Sequence, residues 1–173
     1  MLKRKPKEEI SPTELGQAAH PVAKPADAPE TALLDETGLY QRWYFERRLR
    51  EETARAGRSG VPFSLATWQL RTFQAEPGNP DLWGRAASAI LENLRWYDVA
   101  ARIDARHFAA IVFDADHDRA AAIAYRTKCE LQVRLPSHGK WQVGVATFGR
   151  DGQDADALMQ AALRSLEQDL RAA

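Results

Sequence analysis

Leu94-Arg95-Trp96-Tyr97-Asp98-Val99-Ala100-Ala101-Arg102-Ile103-Asp104-Ala105-Arg106-His107-Phe108-Ala109-Ala110-Ile111-Val112-Phe113 is the stretch on which the fold turns. Asp98 to Ile103 and His107 to Phe113 read as two short strands, with only Asp104-Ala105-Arg106 between them. Two strands joined by so tight a connection predict a β-hairpin.

Working outward, Trp83, Ala87, Ile90, Leu91 and Leu94 recur at helical spacing before the hairpin. Ala120, Ile123, Ala124, Thr127 and Leu131 do the same after it. Each set predicts the apolar stripe of a helix. Beyond these helices, Val61 to Leu70 and Lys140 to Phe148 read as strands rich in β-formers. The outermost elements are a charged helix from Tyr40 to about Ala56 and a last helix lined by Leu158, Ala162, Leu166 and Leu170. In the first of these, Phe45 and Leu49 lie one turn apart and Gly57 follows as a stop. Gln74-Ala75-Glu76-Pro77-Gly78-Asn79-Pro80 is dominated by turn residues and predicts an irregular connection. The order is helix, then β-α-β-β-α-β, then helix. It implies an α+β fold with a ferredoxin-like core, a mixed sheet surrounded by helices.

Residues 1–30 predict a disordered Pro/Ala-rich tail, and 31–173 the folded domain. Pro6, Pro12, Pro21, Pro25 and Pro29 interrupt the tail, which offers too little apolar surface to offset its ordering entropy. The chain has 24 Lys and Arg against 24 Asp and Glu, so its formal net charge is zero. A balanced surface has no long-range attraction for polyanions, which argues against DNA as a partner. No apolar run reaches the ~20 residues of a membrane span, and no hydrophobic segment follows the basic start Met1-Leu2-Lys3-Arg4-Lys5-Pro6-Lys7. The parsimonious expectation is a soluble cytoplasmic protein. The single Cys129 excludes an internal disulfide and any zinc site built on paired cysteines; inside a helical pattern it reads as a buried structural thiol. Trp43, Trp68, Trp83 and Trp141 are expected in the core or at an interface.

Three local sequences narrow the fold. Thr37-Gly38-Leu39-Tyr40-Gln41-Arg42-Trp43-Tyr44-Phe45 is similar to the TGLxNRxxF stretch that opens GGDEF domains, the fold of diguanylate cyclases. Leu94 to Arg102 resembles the LRxxDxxAR run before their signature hairpin. Val143-Gly144-Val145-Ala146-Thr147-Phe148, followed by Asp154-Ala155-Asp156-Ala157-Leu158, resembles their SIGIA strand and the helix entry behind it. The matches come in order, at family spacing, and cover about residues 34–170. The resemblance implies a GGDEF/nucleotidyl-cyclase-like fold.

It also exposes departures. Where the family writes GGDEF, this chain has Asp104-Ala105-Arg106-His107-Phe108, so Arg106 and His107 take the two acidic positions. The family's first strand ends in two aspartates at D-x-D spacing, one of them a metal ligand; Gln69 and Arg71 stand there. A cation in such a place repels Mg²⁺, which needs hard anionic oxygens. The loop that reads FKxxNDxxGHxxGD in active members is about six residues shorter after Phe73 and keeps none of that pattern. In the last helix Ala162 and Leu163 replace the family's AD, and Glu167 its Tyr. Together these losses imply a degenerate domain with no catalytic residues, no metal and no cofactor.

One motif remains. The family's product-binding site is an R-x-x-D placed five residues before the signature, and Arg95-Trp96-Tyr97-Asp98 holds that place, with Val99 to Ile103 between. The family adds a second arginine from the next helix, where Arg126 stands, pointing away from the apolar stripe and free to reach a ligand. The chemistry suits guanine: an arginine can donate to O6 and N7, a carboxylate can accept from N1 and N2, and Trp96 or Tyr97 offers a stacking platform. The alternative is a surface ion pair of Arg95 with Asp98, worth ~0.2–1 kcal/mol.

Other clusters read as structural. Asp114-Ala115-Asp116-His117-Asp118 starts like a calcium loop, but Arg119 stands at its glycine and Tyr125 at its bidentate Glu, so it reads as a polar loop capping the next helix. His107 with Asp104 suggests acid–base work but has no nucleophile or oxyanion donor beside it. The expectation is a cyclic di-GMP-binding effector using Arg95, Asp98 and Arg126, with a protein partner of unknown identity and a ligand-mediated dimer. The alternatives are an interaction module of the same fold that binds no nucleotide, or a weak cyclase.

Overall fold

The computed structural model describes residues 33–71 and 80–172. The expected tail and the turn-rich stretch from Gln74 to Asn79 lie outside the described residues, as does the side chain of Leu170. The elements are α1 (Arg42–Ser59), β1 (Phe63–Arg71), α2 (Pro80–Asn93), β2 (Val99–Arg102), β3 (His107–Phe113), α3 (His117–Arg134), β4 (Lys140–Thr147) and α4 (Ala155–Ala172).

The four strands lie in the order β2-β3-β1-β4. The fold class is the expected one, but every pairing between these strands is antiparallel where a mixed sheet was anticipated. The reason is topological. Each helix crossover joins two parallel strands that are not neighbours: β3 lies between β1 and β2, and β1 lies between β3 and β4.

Helices cover both faces, so β1 is buried almost without alternation, as a strand inside a three-layer arrangement must be. Ala66, Trp68 and Leu70 join the cluster under α2 and α3, while Phe63 and Leu65 join the cluster under α1 and α4. Trp68 is fully buried and its indole N–H donates to the Ala124 carbonyl at 3.0 Å, tying β1 to α3. Trp83 and Trp141 are buried as expected, and Trp43 is partly covered. A Cβ on Gly144 would come within 2.2 Å of the Ala162 carbonyl oxygen and 2.8 Å of the Leu166 nitrogen, so α4 lies on the bare backbone of β4.

Three details differ from the sequence reading. Helix α1 runs through Gly57 and ends at Gly60, whose φ of 70° lets its N–H return to the Ala56 carbonyl. A glycine weakens a helix interior by about 1 kcal/mol without stopping it; the left-handed residue is what ends the helix. Leu91 is 45% exposed, because Leu82, Trp83, Ala86, Ala87, Ala89 and Ile90 already fill the buried face of α2. Cys129 is exposed, on the side of α3 away from Thr127 and Leu131.

The outer edge of the sheet is β4. Its four alternate N–H groups on that side are all capped by side chains. Trp141 donates to Gln132 Oε1 (3.2 Å), Val143 to Asp169 Oδ2 (3.1 Å), Val145 to Ser165 Oγ (3.1 Å) and Thr147 to Asp151 Oδ2 (2.8 Å). Lys128 of α3 pairs with Asp169 of α4 at 2.6 Å around the same edge. On the opposite side, Tyr40 N–H donates to the Ala100 carbonyl of β2 at 3.0 Å. Among the described residues no helix is long and apolar enough to cross a membrane.

Candidate functional site

Helix α2 ends at Asn93, and Arg95-Trp96-Tyr97-Asp98 follows as a β-turn closed twice. The Asp98 N–H donates to the Arg95 carbonyl at 3.0 Å, and the Arg95 N–H donates to Asp98 Oδ2 at 2.9 Å. The R-x-x-D spacing is therefore the i to i+3 spacing of a turn. Asp98 Oδ1 accepts from the Phe113 N–H at 3.1 Å, which pins the turn to the end of β3. Burial pushes the Asp98 carboxyl above the usual aspartate range; its two backbone donors and the Arg95 charge pull it down without cancelling that.

The Arg95 side chain folds over its own turn. Its Nη1 donates to the Tyr97 hydroxyl at 2.6 Å, and the guanidinium lies 5.6 Å from the ring centre. Trp96 meets Tyr97 edge to face at 5.4 Å and is 94% exposed. Arg126 reaches the same end of α2 from α3, donating from Nε to Asn93 Oδ1 at 2.6 Å and from Nη2 to the Asn93 carbonyl at 3.1 Å. It is exposed but anchored, not free as the sequence suggested, because the last carbonyls of a helix need donors and a cation suits that end. The structure thus brings Arg95 and Arg126 to one helix end and commits both Asp98 oxygens to backbone N–H groups; no ion pair joins Arg95 to Asp98 by its side chain.

The hairpin is closed on itself as well. Asp104 Oδ1 accepts from the N–H groups of Arg106 (2.8 Å) and His107 (3.0 Å), and His107 Nδ1 lies 2.7 Å from Asp104 Oδ2. Burial pushes Asp104 up, but these hydrogen bonds outweigh it and hold the carboxyl below its ordinary range. Arg102 holds the loop from behind, donating to the carbonyls of Asp104 and Ala105, both at 3.2 Å, while its guanidinium sits 4.8 Å over the Trp83 ring. Between the hairpin, the end of β1 and α4 lies a cleft of about 440 Å³, rimmed by Arg42, Gln69, Arg71, Asp104, His107 and Glu167. Phe108, Met159, Leu163 and Leu166 form its apolar wall.

This donor set does not fit the divalent metal that the fold family implies. The rim mixes two guanidiniums with two carboxylates on opposite elements, and the Asp104 carboxylate is already bonded to the loop's own N–H groups. Among the described residues no three His, Cys, Asp or Glu side chains stand close enough together to hold a metal ion. Asp116 caps α3, accepting the Arg119 N–H at 2.9 Å, as the polar-loop reading expects. Asn93 and Arg102 were not singled out from sequence: Arg102 stood inside the quoted run, but nothing marked Asn93.

The family model for the diguanylate cyclase GGDEF domain matches residues 32–172. No curated protein matches the sequence. Among solved structures, the GGDEF domain of DgcB from Caulobacter crescentus in complex with c-di-GMP superposes with a TM-score of 0.72 at 19% identity, covering 84% of this chain and 94% of that one. Diguanylate cyclase SiaD from Pseudomonas aeruginosa, in complex with its activator SiaC, gives 0.70 at 24% identity, covering 83% of this chain and 60% of that one. The FimX GGDEF domain from the same organism gives 0.67 at 22% identity, covering 83% and 96%. Likenesses at these identities speak for the fold. With the family match spanning every described element, the chain belongs to the GGDEF family.

Proposed function

We propose that this domain is a cytoplasmic cyclic di-GMP-binding effector or regulator and not a working diguanylate cyclase, with Arg95, Asp98 and Arg126 forming its ligand site. The supporting observation is that two arginines from different segments meet at the end of α2 beside a twice-closed turn. Arg95 keeps Nη1 on the Tyr97 hydroxyl and has Nε and Nη2 to donate to O6 and N7 of a guanine. Asp98 aims that turn, and each of its oxygens keeps a lone pair beyond its backbone donor for the guanine N–H edge. DgcB, a fold neighbour, is a GGDEF domain seen with c-di-GMP bound. Against catalysis, the positions that are acidic in cyclases carry Gln69, Arg71, Arg106 and His107, so the hard anionic oxygens that would hold a charge-neutralising metal at a transferring phosphoryl group are replaced.

The test is calorimetry of the whole chain with cyclic di-GMP, beside incubation with GTP and Mg²⁺ or Mn²⁺. Binding is expected, and no cyclic di-GMP product. Arg95→Ala should weaken binding about tenfold or more, since hydrogen bonds from a charged donor are worth roughly 1.5–3 kcal/mol. Arg126→Ala should also weaken it, and Arg119→Ala, exposed on the same helix, should be nearly silent. Turnover above a protein-free control would overturn the non-catalytic reading. Absence of heat at high ligand concentration would overturn the sensing reading in favour of a docking module without nucleotide; that a protein of this fold can bind a protein partner is seen in SiaD, a cyclase in complex with its activator.

A further inference from the structure

We infer that Trp96 is the platform on which a purine of the ligand stacks, and that Tyr97 is not; this rests on the ligand site proposed above. Of the chain's five tryptophans, Trp96 alone stands in solvent, 94% exposed, while Trp68, Trp83 and Trp141 are buried and Trp43 is partly covered. It is no loose surface residue. It occupies a corner of a turn closed by a backbone hydrogen bond, by the Asp98 carboxylate and by the tie to β3. The backbone that presents the indole is therefore ordered before any ligand arrives, and only the side-chain rotamer is left to fix.

Tyr97 is otherwise engaged. Its hydroxyl accepts from Arg95, and the guanidinium lies over its ring. That leaves the indole, the largest flat apolar face at this end of α2, beside two cationic groups. The neighbours set there by hydrogen bonds are Asn93, Arg95 and Arg126, which are polar or charged. An exposed indole next to an arginine, with a second arginine anchored at the same helix end, suits a planar base that stacks on the ring and is hydrogen-bonded at its edge. Stacking on an aromatic ring is tolerant of base identity, so Trp96 supplies affinity while Arg95 reads the guanine.

The experiment uses the full chain, cyclic di-GMP as the probe, and wild type, Trp96→Ala, Trp96→Phe and Arg95→Ala. Trp96→Ala should bind about tenfold or more weakly, within the range measured for loss of one stacked base. Trp96→Phe should bind within about threefold of wild type, because a smaller ring still stacks. Ligand should quench wild-type tryptophan fluorescence and leave that of Trp96→Phe unchanged even though the variant binds, an effect a merely structural role would not produce. Thermal melts of both Trp96 variants should match wild type. If wild type binds and Trp96→Ala binds equally well without quenching, this inference fails and the ligand site stands. If wild type does not bind, the site and the inference fall together. If Trp96→Ala instead turns a ligand-free dimer into a monomer by light scattering and leaves affinity untouched, Trp96 is a contact with a second copy, and the inference is again overturned.

Discussion

Replacing Asp98 by alanine removes the acceptors of two backbone N–H groups, those of Arg95 and Phe113. Each orphaned buried donor costs about 1–3 kcal/mol, so urea unfolding at neutral pH should show a loss of about 2–4 kcal/mol. A loss below about 0.5 kcal/mol would mean that water replaces the carboxylate at no cost. Asp98 and Asp104 should also differ in pH response. The folded pKa of Asp98 is raised, so its contribution favours the fold below the ordinary aspartate range and fades as pH rises through the folded value. The folded pKa of Asp104 is depressed, so its contribution is present above that range and is lost as pH falls through the folded value. Asp104→Ala should therefore cost about 0.5–1 kcal/mol at neutral pH, like the loss of a capping side chain, and the deficit should close in strong acid. A deficit unchanged down the acid limb would contradict this assignment. The R-x-x-D register was legible in sequence because it is local. That Asp98 faces β3 was not, because Phe113 lies fifteen residues further along the chain.

The elements were legible wherever the periodicity was long. The buried residues of α3 are the five apolar-stripe positions, and the hairpin strand His107–Phe113 falls where its run of residues does. Helix ends were harder, since two nearby glycines offer the same local signal and only backbone geometry separates them. Gly57 is helical with nothing within 4 Å of an added Cβ, whereas Gly60 has a φ of 70°. Gly57→Ala should thus stabilise the protein by about 0.5–1 kcal/mol, and Gly60→Ala should destabilise it by a similar amount. The two melting temperatures should move in opposite directions; parallel shifts would place the helix end elsewhere. Gly144 poses a different constraint, because it faces the α4 backbone, which cannot swing aside as a side chain can. Gly144→Ala should cost about 3 kcal/mol or more, read as a lower denaturant midpoint, and a near-neutral result would mean that α4 can slide along β4.

At the scale of the molecule, the order of elements gave the fold class but would fit many folds, and three short sequence matches narrowed the choice. The cleft was less legible, because its rim draws on α1, β1, the hairpin and α4, which are spread from residue 42 to residue 167. The β4 edge was invisible for the same reason: Gln132, Asp151, Ser165 and Asp169 show no common pattern until the fold lines them up. An uncapped edge strand is a template on which further chains can pair, the first step toward fibrils. Here the template's donors are already spoken for, so an incoming strand can complete the N–H half of a ladder on β4 only by displacing side chains of α3, α4 and the loop before it. Stripping two of the caps with Ser165→Ala and Asp169→Ala should make the concentrated protein seed thioflavin-positive aggregates under conditions in which the parent chain stays clear.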